Sequence, residues 1–176
     1  KEIVEKMMEY LLLESRQIDS VLKSKCFFKL GYWAKEKIED LNENSIDEIF
    51  KHYSMSIQHN SEYYKVWHHY ALLNFEAVEY YEAASRRDSH VIDMKDRHIF
   101  AAVKGFVKSI SLGGKNMFQD SLRLLNLIFK YGDNAEVSKE FRESFQSIDI
   151  IAWIEAVPQI IARSDISNQN IQNLLH

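Results

Sequence analysis

Three lysines have the side-chain type and spacing of an anion-binding site. Lys25 and Lys29 are four residues apart, so a helix places them on one face. Lys65 follows Lys25 by 40 residues, which is also the offset between two similar segments, residues 27–31 and 67–71. Equivalent positions in stacked repeats lie side by side, so the three ammonium groups are expected to converge and attract a polyanion. A solvated basic stripe without a ligand is the alternative, and the residues alone favour it.

The sequence contains no catalytic or metal-binding pattern. Nucleotide-binding, hydrolase, metalloprotease and kinase signatures are all missing from it. His68 and His69 are adjacent, and a helix points them about 100° apart, too divergent to share a metal ion. Residues 113–115, Gly-Gly-Lys, are interpreted as a bare turn between helices. We therefore predict no catalytic residue, no metal site and no enzymatic activity for this segment, although an enzyme of unknown helical type remains a minor alternative.

Composition favours a helical protein in a reducing compartment. The chain has 176 residues, of which 46% are hydrophobic, with only five glycines and one proline. So few turn residues argue against all-β and Rossmann-type folds. The net charge of -4 argues against a nucleic-acid partner. The single cysteine, Cys26, excludes a disulfide framework and is expected to be a core thiol, and neither a signal peptide nor a transmembrane segment is predicted.

Apolar residues recur with helical spacing along most of the chain, as at Phe118, Leu122, Leu125 and Phe129. A further helix is predicted to begin near Asn168, in a pattern that continues to the last residue. The pattern predicts eight helices before it, over residues 1–14, 18–37, 46–59, 62–84, 92–111, 116–131, 135–147 and 150–163.

Two local signals refine these boundaries. Ser45 followed by Glu48 is the spacing of a capping box and predicts a helix start. Pro158 lies inside a helical pattern and predicts a kink or a restart of the helix at that point.

The two similar segments fit the opening of a tetratricopeptide repeat, W-x2-L-G. One reads Phe-x2-Leu-Gly and ends at Gly31, and the other reads Trp-x2-Tyr-Ala and ends at Ala71. We interpret both small residues as helix crossing points, and a helix C-cap is the alternative for Gly31. The sequence thus predicts an all-α helical-hairpin solenoid, with tetratricopeptide-like repeats followed by HEAT-like helices.

Four stretches in order resemble the FAT domain of target of rapamycin (TOR) kinases, which belong to the PI3K-related kinase family. They cover about residues 25–83 and 101–165. "CFFKLGYW" resembles the family's C-F-L-K-L-G-x-W, and "YYKVWHHYALLNFEAV" resembles W-Y-K-A-W-H-x-W-A-x-x-N-F-E-A-V. Two later stretches, "AVKGFVKSISLGGKNMFQDSLRLLNLIFKYG" and "WIEAVPQIIARSD", also follow family patterns.

The resemblance implies a non-catalytic scaffold segment of a serine/threonine kinase. It divides the chain into a tetratricopeptide-like part at 1–84, a linker at 85–96 that replaces a longer family insertion, and a HEAT-like part at 97–176. The family binds inositol hexakisphosphate in a basic pocket, and the matching positions here are Lys25, Lys29 and Lys65. No other cofactor is implied.

The implied partners are the kinase domain of the same parent chain, with WD40 and raptor-like scaffold subunits of a TOR complex. The implied location is the cytoplasm, or the periphery of endomembranes as part of a complex, in nutrient and growth signalling. The alternative is a stand-alone tetratricopeptide adaptor that binds a partner peptide.

Overall fold

The computed structural model describes positions 3, 6, 7, 9 and 11 and residues 19–84, 89–144 and 147–163, and within these ranges it contains helices and no strand. The all-α prediction is therefore confirmed. The predicted ninth helix lies outside the described residues, as do most of the helix at 1–14 and the start of the linker. The helices are α1 (Ser20–Glu36), α2 (Glu43–His59), α3 (Tyr64–Ala83), α4 (Ser89–Ser111), α5 (Met117–Tyr131), α6 (Ala135–Ser144) and α7 (Ile150–Arg163).

The structure differs from the sequence-based prediction in three details of the helix boundaries. Helix α2 begins at Glu43, because Asn42 is its N-cap and Ser45 reciprocates as the third helical residue of a capping box. The predicted Ser45–Glu48 box is therefore wrong, since Ser45 already lies inside the helix. Helix α4 begins at Ser89 and not at residue 92, and α7 continues through Pro158 without a restart.

Helices pack mainly against neighbours in the chain. The pairs α1–α2 and α3–α4 make the most extensive contacts, and α2 also packs on α3. Helix α5 packs on α4, α6 packs on α4 and α5, and α7 packs on α5. This pattern fits consecutive hairpins, while the assignment of tetratricopeptide and HEAT repeat types stays a prediction.

Helix α3 separates two hydrophobic cores. On one side Val66 and Leu73 join a core with residues of α1 and α2, among them Phe28. On the other side Ala71 and Val78 join a larger core with residues of α4 to α7. A helix that packs on two sides must be apolar nearly all round, which explains the density of aromatic and aliphatic residues in this segment.

Gly31 and Ala71 lie at helix crossings, as the repeat pattern predicts. A Cβ atom at Gly31 would be 2.6 Å from the Tyr53 ring and 3.1 Å from the His52 Cβ of α2. Ala71 is fully buried, and a Cβ atom at Gly105 of α4 would be 2.9 Å from its methyl group. Larger side chains at these positions would push α1 from α2 and α3 from α4.

We expect Gly31→Ala to destabilise the protein despite the greater helix propensity of alanine. Tyr53 is 1% exposed and is enclosed by the core, so its ring cannot swing away from the added methyl group. Overpacking typically costs about 1–3 kcal/mol, which exceeds the propensity gain of about 1 kcal/mol. Urea denaturation should show a lower free energy of unfolding.

Glu36→Ala is the control, because Glu36 is an exposed residue of the same helix. It should change the free energy of unfolding by no more than about 0.5 kcal/mol. A Gly31→Ala variant as stable as the wild type would contradict the close crossing of α1 and α2.

Candidate functional site

A basic cavity of about 330 Å³ lies between α1, α3 and the loop that joins α4 to α5. Its lining combines aromatic rings with cationic and imidazole side chains and includes no carboxylate. The lining residues are Phe28, Lys29, Tyr32, Tyr64, Lys65, His68, His69, Lys115 and Asn116.

Two of the three predicted lysines meet at this cavity. Lys29 from α1 and Lys65 from α3 both line it, whereas the 40-residue offset between repeats pairs Lys65 with Lys25. The Lys29 Nζ atom also lies 5.4 Å from the centroid of the Tyr32 ring, in a cation–π contact. Lys25 is exposed one helical turn away on α1 but is not among the lining residues.

Lys115 is a third cation at the cavity that sequence reasoning missed. Gly113 has a φ of +69°, which favours glycine and turns the chain back towards α3. At Gly114, a Cβ atom would overlap the Tyr64 ring, so only glycine lets the loop approach α3 this closely. The Gly-Gly-Lys segment is therefore a turn as predicted, but it also carries a lysine to the cavity.

The acidic residue nearest to Lys65 in the sequence pairs with a lysine outside the cavity lining. Glu62, which lies one turn before Lys65, accepts a hydrogen bond from Lys108 Nζ at 3.3 Å. Among the described residues, no ion pair neutralises Lys29, Lys65 or Lys115. Concentrated positive charge without internal partners attracts anions.

His69 supplies a neutral aromatic surface at the cavity. Its ring packs against Phe28 at 5.1 Å and Tyr32 at 5.4 Å between ring centroids. Burial lowers the pKa of His69 to about 4, and the positive charges of Lys29 and Lys65 act in the same direction, whereas Asp120 opposes them. His69 is therefore uncharged at neutral pH.

His68 belongs to a buried polar network that joins three helices. Its Nδ1 lies 2.9 Å from both carboxylate oxygens of Asp120 in α5, and it donates because a carboxylate only accepts. Ser109 of α4 donates to the same carboxylate at 2.8 Å, and Arg123 Nη1 lies 3.6 Å away. Asp120 has no exposed surface, so its charge depends on these partners.

The network does not have the geometry of a catalytic triad. Ser109 donates its hydroxyl proton to Asp120 and does not contact His68, so no base activates a serine nucleophile. Within the described ranges there is no cluster of three metal ligands. In the same part of the chain, no helix has the length and hydropathy to cross a membrane.

The cavity therefore combines three lysine side chains from different elements with aromatic rings that packed helices hold in place. The fold and the cavity define a class of protein, the helical scaffolds, in which packed hairpins hold charged side chains in fixed positions.

Comparison with known proteins identifies the family. Residues 13–126 match the FAT domain family model. The chain is 37% identical over 168 residues to the serine/threonine-protein kinase tor1 of Schizosaccharomyces pombe. It is 30% identical to mTor of Drosophila melanogaster and to TOR2 of Saccharomyces cerevisiae, over 92% and 88% of this chain.

The chain belongs to the FAT domain family, and its relatives show that it is a FAT segment of the TOR kinase type. It spans 7% of the length of each of these three relatives. The similarity is to a FAT segment and not to a catalytic domain, so the segment by itself is non-catalytic.

We expect Asp120→Ala to destabilise the protein by about 2–4 kcal/mol. The substitution leaves the nearly buried His68 and the buried Ser109 without their shared acceptor, and unsatisfied buried donors carry a desolvation penalty. Thermal and urea unfolding at pH 7 would measure the loss.

Ser109→Ala is the matched control, because it removes one hydrogen bond but leaves the carboxylate paired with His68. It should cost about 1 kcal/mol. Equal effects of the two substitutions would show that Asp120 does not organise the network.

We expect His69 to make stability fall between pH 7 and pH 5. Its pKa is about 4 in the folded protein, against 6.5 for a solvated histidine side chain, so the unfolded chain binds more protons in this interval. The stabilising contribution is present above pH 6.5 and is lost towards pH 4. Its loss from pH 7 to pH 5 is about 2 kcal/mol.

His69→Phe keeps an aromatic ring and removes the titration. Burial also lowers the pKa values of His52, His59 and His98, so the variant should retain part of the pH dependence. Urea denaturation of both proteins at pH 7 and pH 5 measures the difference. Identical pH dependence in the two proteins would contradict a neutral, buried His69.

Proposed function

We propose that this chain is a scaffold segment of a TOR-type serine/threonine kinase, with a structural polyanion site in its basic cavity. The proposed ligand class is an inositol polyphosphate such as inositol hexakisphosphate. The observation that carries the proposal is the convergence of Lys29, Lys65 and Lys115 on a cavity that has no carboxylate in its lining.

The shape and chemistry of the cavity support a compact, highly charged ligand. The three lysines come from α1, from α3 and from the loop before α5, so a ligand that reaches all of them needs several anionic groups. A single phosphate contacts fewer cations and gains less from the site. Lys25, the third predicted lysine, lies one turn from Lys29 and extends the positive surface for a ligand larger than the cavity.

A bound polyanion would stabilise the junction of the two cores. Lys29 belongs to the α1–α2 side, and Lys115 belongs to the loop that leads into α5 on the other side. A ligand that binds only the folded arrangement raises stability in proportion to RT ln(1 + [L]/Kd), which is about 2.7 kcal/mol at one hundred times Kd. The bound ligand would therefore stabilise the packing of the two cores against each other.

The proposed partners follow from the relatives. The relatives are serine/threonine-protein kinases, so the scaffold would support a kinase domain in the same parent chain. WD40 and raptor-like subunits of a TOR complex, a cytoplasmic or peripheral endomembrane location, and the division at 1–84, 85–96 and 97–176 are parts of the same proposal. The family match and similarity over 94% of the chain favour this scaffold over a stand-alone peptide-binding adaptor.

We expect the double charge reversal Lys29→Glu and Lys65→Glu to abolish binding of inositol hexakisphosphate. Each substitution replaces an attractive charge with a repulsive one in the cavity, and the combined loss should exceed 100-fold, about 2.7 kcal/mol. Lys115→Glu alone should weaken binding by about tenfold. Isothermal titration calorimetry at low and high salt measures both, and wild-type affinity should fall with added salt.

Lys51→Glu is the matched control, because Lys51 is an exposed lysine of α2 that does not line the cavity. The Lys51→Glu variant should bind inositol hexakisphosphate with the affinity of the wild type. Lys25→Glu tests whether Lys25 contacts the anion. A loss of affinity of more than about tenfold would include Lys25 among the residues that bind it. Unchanged affinity in the Lys29 and Lys65 double variant would overturn the site.

A further inference from the structure

We infer that His68 is a proton-dependent ligand of the anion in the basic cavity, and that Asp120 and Ser109 are the residues that position it. The inference rests on the proposed anion site and adds a ligand that is not a lysine. It makes anion binding depend on pH in a range where the lysines remain charged.

The geometry of His68 carries the inference. The residue lines the cavity but is only 8% exposed, so its ring is held in the wall. Its Nδ1 is fully used by the Asp120 carboxylate at 2.9 Å. Nε2 has no hydrogen-bond partner in the described part of the chain and does not belong to its buried, unsatisfied atoms. Nε2 is therefore the ring atom available to a ligand.

Asp120 fixes which nitrogen carries the proton of the neutral ring. Because the carboxylate accepts from Nδ1–H, the neutral ring presents a lone pair at Nε2, and a lone pair repels an anion. Protonation of Nε2 converts this repulsion into a charge-assisted hydrogen bond. Binding of the anion would then draw a proton to Nε2 of those His68 rings that are neutral before binding.

The charged groups around His68 come from α1, α3, α5 and the loop between α4 and α5. From α1 and the loop, Lys29 and Lys115 oppose a positive ring, and from α3 Lys65 does the same. From α5, Asp120 favours the positive ring, and Arg123 partly offsets that carboxylate. His69 stays neutral, since its pKa is about 4. A bound polyanion neutralises the lysines, which removes their opposition to the proton.

The test measures proton uptake on binding with a probe whose own charge is constant. Inositol hexakissulfate keeps its charge between pH 6 and pH 8, whereas a phosphate ester titrates there. Calorimetry of the wild-type chain in buffers with different ionisation enthalpies should show net proton uptake at pH 7. The affinity should be about tenfold higher at pH 6 than at pH 8, or about 1.4 kcal/mol.

His68→Asn is the decisive variant. Its amide NH2 can replace Nδ1–H as the donor to Asp120, but it has no group equivalent to Nε2 and does not titrate. We expect binding without proton uptake and with a flat pH dependence. Its circular dichroism spectrum should match that of the wild type, which separates the loss of a ligand from a loss of structure.

Each outcome has one meaning. Proton uptake in the wild type that disappears in His68→Asn supports the inference. The same uptake in both proteins overturns it, and so does binding without proton uptake in the wild type, a result that needs no variant. Binding that the Lys29 and Lys65 double charge reversal abolishes but that takes up no proton leaves the proposed site intact and removes only the role of His68. No binding of the probe or of inositol hexakisphosphate to the wild type overturns both.

Discussion

Burial of helix α3 on two sides is the constraint on which the rest of the structure depends. Its residues contribute to the core shared with α1 and α2 and to the core shared with α4 to α7. Polar contacts add to this packing. Asn74 accepts from His98 Nδ1 at 2.7 Å, and Glu82 accepts from Lys130 at 2.6 Å, which ties α3 to α4 and α5. Helix α3 is thus fixed by apolar and polar contacts at once.

The fixed position of α3 supports the proposed anion site at its N-terminal part. Lys65, His68 and His69 lie in its first two turns, where the α4–α5 loop meets α1. The buried Asp120 holds His68 from behind, and Gly114 brings Lys115 over Tyr64 from the side. In the proposed site the cations would therefore not need to reorganise to meet an anion, which would reduce the free-energy cost of binding.

The sequence predicted the parts of the molecule that local patterns determine. Helical periodicity is marked in α2, α4, α5, α6 and α7, each of which has an apolar face with a 3.6-residue period, whereas α3 is apolar nearly all round. The repeat offset paired Lys65 with Lys25, and the four-residue spacing placed Lys29 on the same face as Lys25. Of these two residues of α1, Lys29 lines the cavity together with Lys65. Gly31 was recognised as a packing residue because the helical pattern continues beyond it.

The parts that were missed depend on contacts between distant residues. Lys115 lies 50 residues after Lys65 in the sequence. No local sequence pattern indicates that the turn that carries Lys115 contacts α3. Asp120 lies 52 residues from His68, so their pairing appears only after the helices are packed. The glycines before Lys115 were an available signal, because two adjacent glycines indicate an unusual backbone or a close approach. The cap at Asn42 was missed because a serine reciprocates in place of the usual glutamate.

Native-state hydrogen exchange tests the central role of α3 most directly. Amides of α3 between the two cores should exchange only through global unfolding and should be the best protected of the chain. Amides of α7, where Ile150, Ile154 and Ile161 are more than half exposed, should exchange faster through local opening. Exchange of α3 as rapid as that of α7, or protection that is lost separately on its two sides, would contradict the account.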